Sequence, residues 1–120
     1  MKVLVAEDDS LLSSILINRF QSSGFDVMGS FDGDETVDKI KSWKPGLILL
    51  DILMPKKDGF AVLEEIKKDP ACANIPVIVL SNLGEENDRQ RASKFGVIDY
   101  LVKANTTPKS IVEKVQAMKL

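Results

Sequence analysis

Apolar positions along this chain follow two rhythms: short continuous runs, and longer stretches in which they recur every three or four residues. The most apolar short run, Gly46-Leu47-Ile48-Leu49-Leu50, ends on Asp51 and passes into Ile52-Leu53-Met54-Pro55-Lys56-Lys57-Asp58-Gly59. A run that short and that apolar predicts a central parallel strand buried on both faces. Residues 2–6, 26–30, 75–80 and 99–102 predict four more strands. The first helix follows Asp9 or Ser10 as its cap, turns Leu12, Ile15, Leu16 and Phe20 to one face and stops at Gly24. Residues 34–42 carry Val37 and Ile40 at helical spacing, with Trp43 packing near the end and Pro45 blocking continuation. After Gly59, Val62, Leu63 and Ile66 make a stripe closed by Asp69-Pro70. Residues 85–95 have little beyond Ala92 and Phe95 to bury, which predicts the least firmly packed helix. Thr107-Pro108 opens the last helix, with Ile111, Val112, Val115 and Met118 inward. Five successive βα units predict an α/β fold, a parallel sheet covered by helices.

Composition narrows the possibilities. At 120 residues and 44% hydrophobic content the chain has the core of one domain, residues 1–120, and hardly of two. Sixteen Lys and Arg stand against 18 Asp and Glu, and the lysines are dispersed among acidic and apolar residues, so no stripe points to direct nucleic acid contact or to anionic lipid. The opening Met1-Lys2-Val3-Leu4-Val5-Ala6 is too short for a signal-peptide core and no stretch approaches a membrane span, so a cytoplasmic chain without membrane contact is expected. Cys72 is the single cysteine; it excludes an internal disulfide, fits a reducing compartment, and reads as a small semi-buried filler. There is no histidine. Zinc sites built on histidine, Ser-His-Asp triads and phosphohistidine within this chain are thereby excluded.

Glu7 and Asp8 follow the first strand, Asp51 the third, Ser81 the fourth and Lys103 the fifth, all at one edge of the sheet. If the first and third strands are neighbours, as in a 2-1-3-4-5 order, three carboxylates converge where the winding reverses. Donors that are all oxygen suit a hard cation that keeps several waters, and Mg2+ is the obvious one. Adding Lys103 brings the summed charge near zero, a site ready for a phosphoryl group. A carboxylate nucleophile there makes an acyl phosphate while the cation and Lys103 offset charge on the transferring oxygens. With no histidine in the chain, the donor is another molecule. Singly, each residue has an ordinary explanation: strand-end acids, a helix-capping Ser81, an exposed Lys103, an edge-strand Tyr100. Their joint placement is what points to chemistry.

Glu7-Asp8, Asp51 with Met54-Pro55 and Asp58-Gly59 behind it, Ser81 and Lys103 stand at successive separations of 44, 30 and 22 residues from Glu7 onward. In these motifs, and over essentially its full length, the chain resembles the CheY-like receiver domains of two-component response regulators. The resemblance implies a flavodoxin-like (βα)5 three-layer sandwich of strand order 2-1-3-4-5, acting as the phosphoacceptor receiver of a His-to-Asp phosphorelay. It implies Asp51 as nucleophile and phosphoacceptor, with Mg2+ held by Asp8, Asp51 and the backbone carbonyl of Leu53, and Glu7 acting mainly through metal-bound water. Lys103 would pair with the phosphoryl group and Ser81 would hydrogen-bond to it. Ser81 and Tyr100 would form the switch, Tyr100 turning inward to report to the face made by the fourth helix, fifth strand and fifth helix. Such a chain catalyses its own Mg2+-dependent phosphorylation and dephosphorylation without turning over an external substrate. The implied partners are a sensor histidine kinase or phosphotransfer protein, a downstream effector or output domain, and a second copy in a phosphorylation-dependent homodimer.

Ala104 stands where the family usually has proline, Asn82 where a small residue is common, and Gly46 in place of a frequent acid. Leu53 and Leu83, two places beyond Asp51 and Ser81, flank the expected phosphoryl position and would exclude water from it, implying slow loss of the group. The alternative reading is a pseudo-receiver, a protein-interaction module that works without phosphorylation. A haloacid-dehalogenase-like phosphatase would need a second Asp where Leu53 stands. A flavodoxin-like nucleotide binder would need a phosphate loop where Glu7-Asp8-Asp9 repels phosphate.

Overall fold

The five apolar runs form one sheet of parallel strands, β1 (Lys2–Ala6), β2 (Asp26–Ser30), β3 (Leu47–Leu50), β4 (Val77–Ser81) and β5 (Asp99–Val102), in the order β2-β1-β3-β4-β5. The structure is a computed structural model and describes residues 1–120. Five α-helices alternate with the strands: α1 (Ser10–Ser22), α2 (Gly33–Trp43), α3 (Gly59–Lys68), α4 (Glu86–Ser93) and α5 (Pro108–Met118). Side chains alternate across a strand, so each central strand feeds two cores. Val3, Val5, Leu47, Leu49, Ile78 and Leu80 pack under α1 and α5 with Leu16, Phe20, Ile111, Val112 and Val115. Leu4, Ala6, Ile48, Leu50, Val77 and Val79 pack on the other face with α2 and α3 residues Val37, Ile40, Val62, Leu63 and Ile66. The result is the three-layer α/β sandwich and strand order implied by the resemblance. No helix is long and apolar enough to cross a membrane.

The boundaries shift in physically readable ways. β4 begins at Val77, two residues later than the apolar run, because Pro76 has no amide hydrogen to give the ladder; its carbonyl instead accepts from the Ile48 amide. The strand also continues through Ser81, which pairs with Val102, so Ser81 closes β4 and does not follow it. On α1 the buried line is Leu16 and Phe20 with Leu12 half-buried, while Ile15 is exposed. Ile15 lies about 100° around the helix from Leu16, too far to share a stripe spaced by four residues. Asp9 is the N-cap of α1 and accepts from the Leu11 and Leu12 amides. α2 spans one residue more at each end than its periodicity predicts, and α4 is shorter at both ends than expected, leaving Phe95 beyond it. Cys72 is fully buried. Lys103 opens a single 3-10 turn (Lys103–Asn105) after β5, and the Lys103-Ala104 peptide is trans.

The link from β3 to α3 crosses the carboxyl edge and is pinned from two sides. The Gly59 amide donates to the Ile52 carbonyl at 2.8 Å, and a Cβ on Gly59 would stand 2.6 Å from the Asp51 carbonyl oxygen and 2.7 Å from Ile52 Cα. Gly33, at the start of α2, donates to the Pro55 carbonyl, and a Cβ there would lie 1.9 Å from the Lys57 carbonyl oxygen. Gly59→Ala should therefore cost roughly 1–3 kcal/mol through overpacking against backbone that has nowhere to go. The check is the denaturation midpoint in urea at unchanged slope; a midpoint equal to the parent's would mean that the link from β3 to α3 tolerates the extra methyl.

Candidate functional site

The sheet's register brings the site together. Ala6 pairs with Leu50, so Glu7 and Asp51, each one residue further on, leave neighbouring strands at the same level, and the Asp51 amide donates to the Ala6 carbonyl at 3.0 Å. The Glu7 amide is held by the Ser30 carbonyl on the other side. Both carboxylates are buried, Glu7 at 2% and Asp51 at 3% exposure, whereas Asp8 faces solvent. One oxygen from each of the three lies within 4.8 Å of the others. Lys103 reaches in from the end of β5: its Nζ donates to Asp51 Oδ2 at 2.7 Å and to Glu7 Oε1 at 2.9 Å. Glu7 Oε2 is also 2.8 Å from that ammonium, but it is not aligned as an acceptor and no other group donates to it. Asp51 Oδ1 accepts from the Leu53 amide at 3.2 Å.

Burial raises the pKa of Glu7 from 4.5 to about 7; the neighbouring Asp51 charge adds to the rise and Lys103 opposes it. For Lys103 burial disfavours the charged form, but its bonds to Asp51 and Glu7 outweigh that and hold the ammonium above its ordinary value. Three carboxylates against one ammonium leave two negative charges unbalanced when all are ionised. An all-oxygen donor set with an unsatisfied, buried carboxylate oxygen is consistent with a divalent metal site.

Four of the residues singled out in the sequence therefore converge: Glu7, Asp8, Asp51 and Lys103. Ser81 is fully buried at the end of β4, where its Oγ accepts from the Leu83 amide at 3.3 Å and makes no bond to the acids. The Leu53 side chain is 54% exposed at the rim, and Leu83 is half-buried. Tyr100 is already turned inward: it is buried, and its hydroxyl donates to the Leu83 carbonyl. Arg89, which the sequence reading did not single out, stacks on the Tyr100 ring with Cζ 5.1 Å from the centroid. Nothing in the periodicity of α4, polar apart from Ala92, marks that position.

Comparison with known proteins places this geometry in a family. The profile of the response regulator receiver domain matches residues 3–116. The chain is 33% identical over 117 residues to the probable transcriptional regulator ycf27 of Porphyridium aerugineum, covering 98% of this chain and 47% of that protein. It spans about half the length of such relatives. Among solved structures it is similar to the receiver domain of the Francisella response regulator 1452, at 32% identity and a TM-score of 0.88, covering 98% of this chain and 94% of that one. It is also similar to the BeF3-activated N-terminal receiver domain of Klebsiella pneumoniae RstA, at 25% identity and a TM-score of 0.86, covering 98% and 97%.

The raised pKa of Glu7 has a signed consequence for stability. An acid that titrates higher in the folded state than in the unfolded one costs the protein stability as pH rises from the unfolded value of about 4.5 to the folded value of about 7. In metal-free protein, Glu7→Gln should then be more stable than the parent at pH 8, by up to ~3 kcal/mol, with the gain vanishing toward pH 4.5. Thermal unfolding in chelator across that range measures it. A gain independent of pH, or a loss at pH 8, would contradict the assignment of the cost to a buried, ionised Glu7.

Proposed function

The chain belongs to the response regulator receiver domain family, and from that premise we propose that Asp51 is the residue on which it accepts a phosphoryl group in a His-to-Asp phosphorelay. The observation that carries this reading is the Lys103 ammonium lying 2.7 Å from the buried Asp51 carboxylate, with Glu7 and Asp8 beside them. Asp8, Asp51 and the Leu53 backbone carbonyl are the groups that would hold Mg2+, with Glu7 acting mainly through metal-bound water. Bound there, Mg2+ supplies positive charge next to the transferring oxygens. A carboxylate oxygen of Asp51 attacks phosphorus, the bond to the donor nitrogen breaks, the electron pair leaves with the donor, and a mixed anhydride forms on Asp51. Lys103, already fixed by two carboxylates, offsets charge on the phosphoryl oxygens with little reorganisation. Ser81 Oγ exchanges its bond with the Leu83 amide for one to the phosphoryl group, and Tyr100 responds through Leu83, which both residues contact. The reaction modifies the chain itself and turns over no external substrate.

We take the donor to be a sensor histidine kinase or a phosphotransfer protein, as none of these 120 residues is a histidine that could carry the phosphoryl group. The relatives of about twice this length are transcriptional regulators, which supports an effector or output domain as the receiver of the signal. The face formed by α4, β5 and α5 is the surface through which we propose the state is passed on, including to a second copy, with the whole process in the cytoplasm. This domain makes no direct contact with nucleic acid in that scheme. All three acids and the lysine are in place, so no feature of the site favours the phosphorylation-independent reading.

The decisive experiment is labelling by a small phosphodonor with and without Mg2+. Mg2+-dependent label that is lost in Asp51→Asn, with the circular dichroism spectrum unchanged, is the expected result; stable label on the variant would remove Asp51 as acceptor. Lifetime is a second measurable property of the same site. Acyl phosphates are lost when water lines up opposite the leaving carboxylate, and the side chains of Leu53 and Leu83 have no polar atom to hold it. After removal of the donor, Leu53→Asn combined with Leu83→Glu should lose label about tenfold faster than the parent, as expected for a restored water-positioning group. Equal decay rates would show that these positions do not control the water.

A further inference from the structure

α4 is docked by means unlike those of the other helices. Of its eight residues only Ala92 is buried, and its N-cap, Glu85, makes no side-chain hydrogen bond to the first turn. α3, by contrast, buries Gly59, Phe60, Val62, Leu63 and Ile66 and is capped by Asp58. A helix with one buried methyl needs another source of attraction to hold its position. Two of its side chains supply it. The guanidinium of Arg89 lies 5.1 Å from the centroid of Tyr100 on β5, and its Nη1 also donates to the Tyr100 carbonyl at 3.5 Å. On the other flank, the guanidinium of Arg91 lies 4.0 Å from the centroid of Phe60 at the start of α3. Both rings are buried, while Arg89 is half-buried over its ring and Arg91 is exposed over its own, so the two contacts fall between the exposed and the desolvated case.

Both aromatic partners are also tied to the acidic site. Phe60 follows Gly59, the residue pressed against the Asp51 carbonyl. Tyr100 lies three residues before Lys103 on a short strand, and its hydroxyl is bonded to Leu83, whose amide binds Ser81. We propose that Arg89 and Arg91 are positioning residues, two guanidinium-on-aromatic stacks that dock α4 between β5 and α3 and carry the state of the acidic site to that helix. The coupling half rests on Asp51 being the phosphoacceptor; the docking half does not.

The test uses the whole chain and reads amide hydrogen exchange over residues 86–93 together with the ring resonances of Tyr100, the single tyrosine. Arg89→Gln with Arg91→Gln should speed exchange in α4 about tenfold and shift the Tyr100 ring signals, leaving α1 unchanged, while the double lysine variant, which keeps a cation over each ring, should recover part of the protection. The control is Gln90→Ala, an exposed change in the same helix that touches neither ring. Protection in the double glutamine variant equal to the parent's, or lost no more than in the control, would overturn the docking. For the coupling, beryllofluoride and Mg2+ are added and complex formation is followed by fluorine NMR. The parent should form the complex and change its α4 protection; the double glutamine variant should form it and not respond. A variant that responds like the parent would overturn the coupling. If the parent itself forms no complex, the phosphoacceptor reading fails and takes the coupling half with it, while the exchange comparison still decides the docking.

Discussion

The ammonium of Lys103 is held between two carboxylates that water barely reaches, and the placement of nearly every other element serves that contact. Glu7 and Asp51 would each be costly to bury alone, and Lys103 offsets part of the cost for both. The compensation is incomplete: the raised pKa of Glu7 marks the remainder. A packed apolar trio would serve stability at least as well as this arrangement, since buried ion pairs rarely repay their desolvation. Its physical sense is therefore chemical. A fixed cation, an acid without a full set of partners and a carboxylate with one oxygen on the cation are all oriented before any ligand arrives.

That contact requires the sheet to have its observed order. Lys103 leaves β5 and Asp51 leaves β3, with β4 between them. Adjacent strands lie about 4.8 Å apart, so the gap is two such spacings, spanned by the lysine stem, its hydrogen bond and the Asp51 side chain together. The residue at that row of β4 is Ser81, paired with Val102 immediately before Lys103. Ser81 thus occupies the strand end between the two that carry the ion pair. The link from β3 to α3 imposes a similar economy. Gly33 and Gly59 let two backbones approach within hydrogen-bond range, and those bonds hold the loop that follows Asp51.

The strands and the inward faces of most helices were legible because burial on one or two faces writes period 2 or 3.6 into the sequence directly. The converging acids were legible too, since Glu7 and Asp51 each end an apolar run. What periodicity does not encode is where pairing stops. Pro76 looks like part of a strand by its neighbours yet cannot donate to the ladder, and Ser81 looks like the start of a loop yet still pairs. Ile15 was misplaced because a short amphipathic window accepts two neighbouring stripes equally well, and only the packed partner chooses between them. The inward Tyr100 and the arginines of α4 were beyond reach for a different reason. They depend on contacts across 11 and 31 residues between polar and aromatic groups, and those contacts leave no local pattern.

The same contrast sets α4 apart from the other helices in how firmly it is held. Apolar burial is additive and non-directional, so α3 with its five buried residues cannot shift without opening the core. α4 adds one alanine to that core, and what remains is a pair of directional contacts from Arg89 and Arg91 to the rings of Tyr100 and Phe60. Two arrangements of such a helix differ by few buried atoms, and a small difference in free energy is enough to exchange their populations. Under the proposed phosphorylation of Asp51, added negative charge would change what Lys103 and Ser81 bind, and both lie one contact or a few residues from Tyr100. A buried charged centre thus stands beside a weakly buried helix, the one held by the packed core around it and the other by few contacts whose rearrangement costs little.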